Sequence, residues 1–311
     1  MENGAETGLD IYQAYLGEAQ MQALPACAIP YNVAGNTAND QREYELFRKI
    51  AAERPAGAGP WGLVSAKFEL KTMVPLEDFQ RFATARLADG FECVFINPMI
   101  GNEAIHLNVW EQWWVANESV IDLAAFLETV GPINSNGLMG SDCFSFCNYF
   151  VGSSVFWRRY FAYVEKFSEA LAQQFQQQTA VGRFYGSSGV YARDASVTTR
   201  PFIIERLFSS FLATNPDIRR SAYPMTQAVY IAKFGSRLGE ALFHLNALKN
   251  LALQSSDQPT FDRWQALRAE LFPAAMNVIW QLDDPPEIMV SREFRPSLME
   301  PAPSSGAGLP A

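Results

Sequence analysis

The chain has 311 residues, of which 49% are hydrophobic and 18% are charged. This composition is typical of a globular protein with a sizeable core and excludes a disordered chain. The 33 acidic residues outnumber the 24 Lys and Arg residues, so the formal net charge is −9. Nucleic acids and anionic membranes are bound mainly through clustered Lys and Arg, and the charge argues against both as partners.

The N-terminus is acidic and lacks the basic and apolar regions of a secretory signal. No stretch of the sequence approaches the roughly 20 apolar residues of a membrane span. The four cysteines show no CxxC spacing and only two histidines accompany them. This pattern argues against a structural zinc site and favours small buried thiols in a reducing compartment. We therefore expect a cytoplasmic protein.

The first third of the chain alternates predicted strands and helices. Strands are predicted at residues 9–15, 61–65 and 91–96. Between them, Asn39 and Asp40 are placed to cap a helix, and Pro75 is placed to begin another. The third predicted strand is apolar at nearly every position, which favours a strand buried on both faces. The order strand, helix, buried strand predicts an α/β fold.

The rest of the chain is predicted to be mainly helical. Apolar stripes begin near Ser154 and at Pro201, and helical patterns continue from about residue 224 onward. The C-terminal third is therefore predicted to be a helical subdomain or cap. The alternation of Phe144, Phe146 and Tyr149 predicts one further strand.

The loop after the third predicted strand contains polar and aromatic side chains suited to sugars or nucleosides. In α/β sheets, ligands bind at the carboxyl ends of strands. Amides and carboxylates bind hydroxyl groups, and indole rings stack on sugar or base rings. The alternative is a capped turn followed by a helix whose tryptophans belong to the core. The residues concerned are Asn97, Asn108, Trp110, Glu111 and Trp113.

Two other segments contain polar groups within apolar runs. Asn148 would be an expensive buried amide unless it bonds a ligand or a backbone group, and both roles are open. Glu205, close to Arg200 and Arg206, would suit a general base whose pKa is set by burial and by these cations. The alternative for Glu205 is an ion pair within or between helices, which is the commoner role of such a pair.

Several familiar catalytic signatures are missing from the sequence. There is no GxGxxG after a strand, no Walker motif, no HExxH, no GxSxG and no DxD. The two histidines, His106 and His244, are far apart in the chain. A catalytic triad or a His-bound metal is therefore not expected.

Taken in order, seven short segments resemble a group of bacterial glycosyltransferase-like proteins of capsule and O-antigen polysaccharide biosynthesis. The FIIERLFS segment is also similar to one in a neighbouring group of bacterial polysaccharide glycosyltransferases. The similarity extends over residues 9–215. The segments are IYQAY (11–15), Asn36 with REY (42–44), WGLVSAKF (61–68) with KT (71–72), FINP (95–98), NVWEQ (108–112), NYFV (148–151) and FIIERLFS (202–209).

The resemblance implies a GT-A-like, Rossmann-like nucleotide-diphosphosugar transferase domain over residues 9–215. A helical extension over 216–300 would pack on it, with flexible tails at 1–8 and 301–311. In this fold a DxD motif usually follows a central strand and binds a divalent metal, whereas here the strand ends Phe95–Pro98 without an aspartate pair. A Mg²⁺ or Mn²⁺ cofactor is therefore left open. Without a metal, basic residues would neutralise the diphosphate: Lys67, Lys71, Arg193 and Arg200.

The resemblance further implies an enzyme, a hexosyl- or related sugar transferase. It would move a sugar from a nucleotide-sugar donor to a cell-surface polysaccharide or a related glycan or lipid-linked acceptor. The protein would be cytoplasmic, with peripheral association at the inner membrane left open. The alternative function is a non-catalytic sugar- or nucleotide-binding or assembly protein that retains the fold. A third possible function is that of a helical scaffold protein without a small ligand.

For the transferase, Glu205 is the predicted base that deprotonates the acceptor hydroxyl, and Asp142 is the alternative base. The spacing of the carboxylates in the folded site decides between retaining and inverting routes, which both stay open. A structure whose own tryptophans fill the pocket after the third strand would contradict a donor site there. The groups predicted to line the donor or acceptor site are Asn97, Asn108, Glu111 and Asn148, with Trp110 and Trp113 as stacking surfaces.

Overall fold

The computed structural model describes residues 8–36, 42–114, 119–189 and 197–283. Within these residues the chain forms six strands and thirteen helices. The strands are β1 (Asp10–Tyr15), β2 (Ile29–Asn32), β3 (Trp61–Ser65), β4 (Cys93–Phe95), β5 (Phe150–Gly152) and β6 (Arg220–Ala222). The helices are α1 (Glu18–Gln22), α2 (Arg42–Glu53), α3 (Phe68–Thr72), α4 (Leu76–Ala88), α5 (Asn102–Ile105), α6 (Val109–Trp114), α7 (Ser119–Val130), α8 (Ser154–Gln176), α9 (Ala180–Gly186), α10 (Arg200–Thr214), α11 (Gln227–Phe234), α12 (Ser236–Ser255) and α13 (Gln258–Asp283).

The six described strands form one mixed sheet in the order β2-β1-β3-β5-β4-β6. Five strands run in the same direction, and β5 runs antiparallel between β3 and β4. The carboxyl ends of the five parallel strands and the amino end of β5 therefore lie at the same edge of the sheet. The predicted α/β fold is confirmed, and the sheet is compatible with a Rossmann-like core.

Both faces of the sheet are buried. One face packs mainly under α2, α8 and α10, and the other packs under α3 and α4. All three residues of β4 are fully buried, as predicted from its apolar run, because helices cover the sheet on both sides. The sheet is thus the middle layer of a three-layer arrangement.

The helices α11–α13 form a third apolar cluster together with α5 and the loop after β4. This confirms the helical pattern predicted from about residue 224. The sheet extends past residue 215, however, because β6 pairs with β4 along Cys93–Phe95. The sequence does not predict β6, because its three residues are all of intermediate burial and are too few to show the periodicity of a strand.

The prediction of a strand around Phe144–Tyr149 is largely wrong. The segment is irregular, and the strand begins only at Phe150. Cys147 and Asn148 have φ values of 62° and 54°, in the left-handed region that ends an extended conformation. The predicted capping residues Asn39 and Asp40 lie outside the described residues. None of the described helices is both long enough and apolar enough to cross a membrane.

Candidate active site

The strand order changes direction at β1, whose neighbours are β2 on one side and β3 on the other. In open α/β sheets this arrangement leaves a crevice at the carboxyl ends of the two strands, where ligands bind. Gln13 lies near the end of β1, and Ser65 is the last residue of β3. The Gln13 amide donates from Nε2 to the Ser65 carbonyl at 3.1 Å. This polar contact sits at the position where the topology favours a ligand.

The turn that leads into β5 reaches the same edge. The hydroxyl groups of Tyr149 and Ser65 are hydrogen-bonded to each other. Gln13 and Asn148 are 2% and 4% exposed, and their amide oxygens find no hydrogen-bond partner within the part of the chain that the structure describes. Buried acceptors without partners cost free energy, so such groups are candidates for binding a ligand donor.

Helix α10 brings Glu205 to this turn. The Cys147 backbone N–H donates to the Glu205 carboxylate at Oε1. One helical turn further, the Ser209 hydroxyl accepts from the Ser145 N–H and donates to the Ser145 carbonyl, each at 2.9 Å. Two positions of α10 therefore hold the turn, and Glu205 is one of them.

Lys71 of α3 lies on the other side of Cys147, with 3.4 Å between its Nζ and the Cys147 Sγ. Lys71, Cys147 and Glu205 are all partly exposed, so solvent reaches this part of the edge. We call the group the edge cluster. Its members are Gln13, Ser65, Lys71, Cys147, Asn148, Tyr149 and Glu205.

The charges of the edge cluster are set by burial and by mutual attraction. Burial opposes the charged form of Lys71, but its interactions with Cys147, Tyr149 and Glu205 outweigh burial, and the Lys71 pKa lies above its ordinary value. Burial raises the pKa of Cys147 to about 12, although the neighbouring Lys71 acts to lower it. At neutral pH the cluster therefore contains an ammonium and a protonated thiol. The thiol does not suit nucleophilic chemistry, which needs the thiolate.

The cluster combines groups for two chemical tasks. A partly exposed carboxylate within reach of solvent suits a general base. An ammonium on the other side of Cys147 suits an anionic ligand or a negatively charged leaving group. The buried amide oxygens of Gln13 and Asn148 suit hydroxyl or N–H donors.

The other predicted basic residues lie in different places. The Lys67 N–H donates to the Ser65 hydroxyl at 3.2 Å, so Lys67 starts α3 beside the edge cluster. The Arg200 guanidinium lies 4.8 Å from the ring centre of Phe175 and 4.9 Å from that of Tyr185. Arg193 lies outside the described residues.

The loop after β4 is filled by its own side chains. Asn97 donates to Glu103 Oε2 at 3.0 Å and accepts from the Met99 N–H at 3.1 Å. The other Glu103 oxygen accepts from the Tyr230 hydroxyl. All these atoms are already bonded within the protein, so this donor set does not fit a divalent cation. Within the four described ranges, no group of three His, Cys, Asp or Glu residues could hold a metal ion.

Asn108 caps α6 instead of facing a ligand. Its Oδ1 accepts from the N–H groups of Trp110 and Glu111, both at 2.9 Å. Its Nδ2 donates to the carbonyls of Ser135 and Gly137, both at 2.8 Å. The amide is therefore fully used within the fold, which is the capped turn left open as the alternative.

The expectation that the tryptophans form stacking surfaces is wrong. Trp110 and Trp113 are 0% and 1% exposed. Trp110 donates from its indole N–H to Ser210 at 2.9 Å, and Trp113 lies under the Arg206 guanidinium at 4.4 Å. Their rings fill the space between α6 and α10, so the donor pocket expected after the third predicted strand is not open there.

Glu111 and Asp142 are engaged in ion pairs away from the edge cluster. Glu111 pairs with Arg268 of α13 at 2.7 Å. Asp142 pairs with Arg220 of β6 at 2.6 Å, at the edge strand opposite β2. Of the predicted site residues, the structure thus brings together Glu205, Asn148 and Lys71, with Lys67 beside them.

Sequence reasoning missed Gln13, Ser65, Cys147 and Tyr149 as members of the site. Gln13 occupies an inward position of β1, next to the inward Ile11. A polar side chain at a core position of a strand is a signal that could have identified it. Ser65 and Tyr149 belong to motifs noted in the sequence, but their hydroxyl contact is decided by the pairing of β3 with β5.

Comparison of the chain with protein-family models, with curated proteins and with solved structures gives no match.

Proposed function

We propose that this chain is a glycosyltransferase that moves a sugar from a nucleotide-sugar donor to a glycan acceptor of the cell surface. The observation that supports it best is the edge cluster, where a partly exposed carboxylate and an ammonium meet beside the β1–β3 crevice. Sugar transfer by direct displacement uses both groups: a base for the acceptor hydroxyl and a cation for the departing diphosphate. The mixed sheet is compatible with the GT-A-like core that the resemblance implies.

In this proposal Glu205 is the base. Its carboxylate accepts the proton of the acceptor hydroxyl as that oxygen attacks the anomeric carbon. The Cys147 N–H orients the carboxylate by donating to Oε1. The β1–β3 crevice next to Gln13 is the place for the donor.

Lys71 supplies positive charge for the diphosphate that leaves. Its pKa lies above the ordinary value, so the side chain is an ammonium at neutral pH. Lys67, at the start of the same helix, lies close enough in the chain to contribute a second cation. The edge cluster itself supplies these charges, so no step of the proposal needs a metal.

The substitution Glu205→Gln tests the role of the carboxylate. Glutamine keeps an oxygen that accepts from the Cys147 N–H, so the turn into β5 is preserved while the basic group is lost. We expect transfer, or slow donor hydrolysis, to fall at least ~100-fold, the scale of losing a general base. The measurement is release of nucleotide from a panel of UDP-, GDP-, dTDP- and CMP-sugars.

Ser209→Ala is the matched control, because it loosens the same turn and leaves the carboxylate in place. We expect it to retain activity within about tenfold. If both variants lose activity equally, Glu205 only anchors the turn. Near-normal turnover of Glu205→Gln removes Glu205 from the role of base.

Thermal stabilisation of the protein by the same donors separates the alternatives. Stabilisation without hydrolysis or transfer, with or without Mg²⁺ or Mn²⁺, favours a non-catalytic sugar- or nucleotide-binding protein. Absence of both stabilisation and turnover across the panel contradicts the transferase.

A further inference from the structure

A second cleft, of about 420 Å³, lies at the β6 side of the molecule. We call it the β6 cleft. It is bounded by the 134–143 segment, the end of α10, the start of β6 and the C-terminal half of α12. Its polar lining consists of Asn134, Asp142, Arg220, Asn250 and Gln254. The volume is within the range of small-molecule sites.

The β6 cleft has no net charge. Arg220 donates from Nε to the Asp142 carbonyl at 3.0 Å, and its NH2 group lies 2.6 Å from the Asp142 carboxylate. The Arg220 side chain is 16% exposed and the Asp142 side chain is 64% exposed, so the carboxylate still faces solvent. A guanidinium already neutralised in this way has little attraction left for a phosphate, and the paired carboxylate has little for a cation.

One wall of the cleft is held rigidly. Asn250 accepts from the Ser141 N–H at 3.0 Å and donates to the Ser141 hydroxyl at 3.0 Å. Gly140 adjoins this wall, where an added Cβ would lie 2.8 Å from Leu253 and 3.1 Å from the Asp142 carboxylate. The side chains of this wall therefore pack closely against the Gly140 backbone, where a larger residue would displace them.

The lining of the β6 cleft combines polar and apolar groups. The Asn134 and Gln254 amides and the exposed Asp142 carboxylate offer both donors and acceptors, which matches hydroxyl groups that donate and accept at once. Leu138, Leu253 and Ala213 supply apolar surface beside them. Neutral polyhydroxylated rings present the same combination of hydroxyl edges and C–H faces.

From this lining we infer that the β6 cleft binds a neutral saccharide. The site is separate from the edge cluster, because β5, the cluster strand nearest to β6, is two strand positions from it, about 10 Å at the usual strand spacing. The inference does not depend on the proposed function, since a saccharide site here is compatible with a transferase and with a non-catalytic protein.

Ligand-observed saturation-transfer NMR with the full chain tests the inference. The probes are glucose, galactose, N-acetylglucosamine, rhamnose and lactose, with glucuronate and inorganic phosphate for comparison. We expect at least one neutral saccharide to bind, and to bind better than either anion. Asp142→Ala and Gln254→Ala should each weaken this binding about tenfold. This is the effect expected from losing one hydrogen bond to a charged group, or two hydrogen bonds to neutral groups.

Two control variants define the site. Asp217→Ala removes another exposed aspartate that pairs with an arginine, Arg159, outside the cleft, and should leave saccharide binding unchanged. Lys71→Met alters the edge cluster and should also leave it unchanged.

The inference is overturned by any of three results. These are no binding of any neutral saccharide at 10 mM, binding that both cleft variants leave intact, or binding that Lys71→Met abolishes. The last result would place the saccharide at the edge cluster. Loss of turnover in Glu205→Gln bears only on the proposed function, so the two failures are distinguishable.

Discussion

His106 is completely buried between the sheet and helices α11–α13. Burial lowers its pKa well below the ordinary value, and the nearby cations Lys249, Arg268 and Arg206 lower it further. Glu111 faces it at 3.9 Å and is itself paired with Arg268. Neither ring nitrogen has a hydrogen-bond partner among the described residues. His106 is therefore neutral in the folded protein.

This environment predicts a loss of stability in acid. Below a pH of about 6.5 the unfolded chain protonates His106 and the folded chain does not, so the free energy of unfolding falls as the pH falls. His106→Leu removes this proton uptake and leaves no hydrogen bond broken. We expect the variant to lose less stability than the wild type between pH 7.5 and pH 5, measured by urea unfolding.

The second histidine supplies the control. His244 is exposed on α12, and His244→Gln should follow the wild-type pH dependence. An equal fall in stability for His106→Leu and the wild type would contradict the prediction.

Single residues were predictable from the sequence where a polar group lies within an apolar run. Glu205 and Asn148 were identified in this way, and the structure places both in the edge cluster. The same reasoning selected Asn108 and Trp110, which cap and fill the fold. A capping amide and a ligand-binding amide look alike in sequence, because only the fold decides whether the amide's partners are backbone groups.

At the scale of elements, β5 approaches β3 closely. An added Cβ at Gly62 would lie 2.2 Å from the Phe150 carbonyl oxygen and 2.6 Å from the Val151 side chain. The β3–β5 pair also positions Ser65 and the turn at Cys147 and Asn148. The absence of a side chain at Gly62 therefore supports the geometry of the edge cluster.

Gly62→Ala should destabilise the protein by about 2–3 kcal/mol, the upper range for overpacking a filled core. The matched control is Gly35→Ala, where an added Cβ meets nothing within 4 Å, and it should cost no stability. Urea unfolding of the two variants checks the expectation. A Gly62→Ala protein as stable as the wild type would show that the two strands separate at little cost.

Several of the longer elements followed from local pattern. The helices α4, α8 and α10 begin within two residues of their predicted starts at Pro75, Ser154 and Pro201. In α8 the Ser153 hydroxyl accepts from the Phe156 N–H, which is a local capping interaction. The turn at Cys147 and Asn148 and the short strand β6 were not predicted, because tertiary contacts impose them on a pattern that favours other structures.

At the scale of the whole molecule, Lys249 joins α12 to the loop after β4. It is fully buried and donates to the carbonyls of Glu103 and His106 at 2.8 and 2.6 Å. Burial lowers the pKa of Lys249 to about 7, although Glu103 opposes this. Helix α12 and the segment after β4 are thus connected by a lysine that titrates near neutral pH.

The lowered pKa of Lys249 makes the free energy of unfolding rise with pH above neutrality. Between pH 7 and about 10 the unfolded chain keeps the Lys249 proton and the folded chain releases it, so the free energy of unfolding increases by at most about 1.4 kcal/mol per pH unit. Lys249→Met should lose this rise. The measurement is urea unfolding from pH 7 to pH 10.

The thiols of Cys143 and Cys147 act in the opposite direction in both proteins, because their pKa values are raised to about 12. The difference in slope between the wild type and the variant therefore reports Lys249 together with the effect of its charge on Cys143. Equal slopes would contradict the titration of Lys249 near neutral pH.

The sequence by itself determined the α/β class, the position of most helices and the polar segments worth testing, because periodicity and capping depend on neighbours along the chain. Only the tertiary structure decided which of those polar groups meet. Glu205, Lys71 and Asn148 come together through the antiparallel insertion of β5 between β3 and β4. Asp142 is held at the far edge strand by Arg220. Such contacts join residues tens of positions apart, and their energies depend on burial that no local pattern contains.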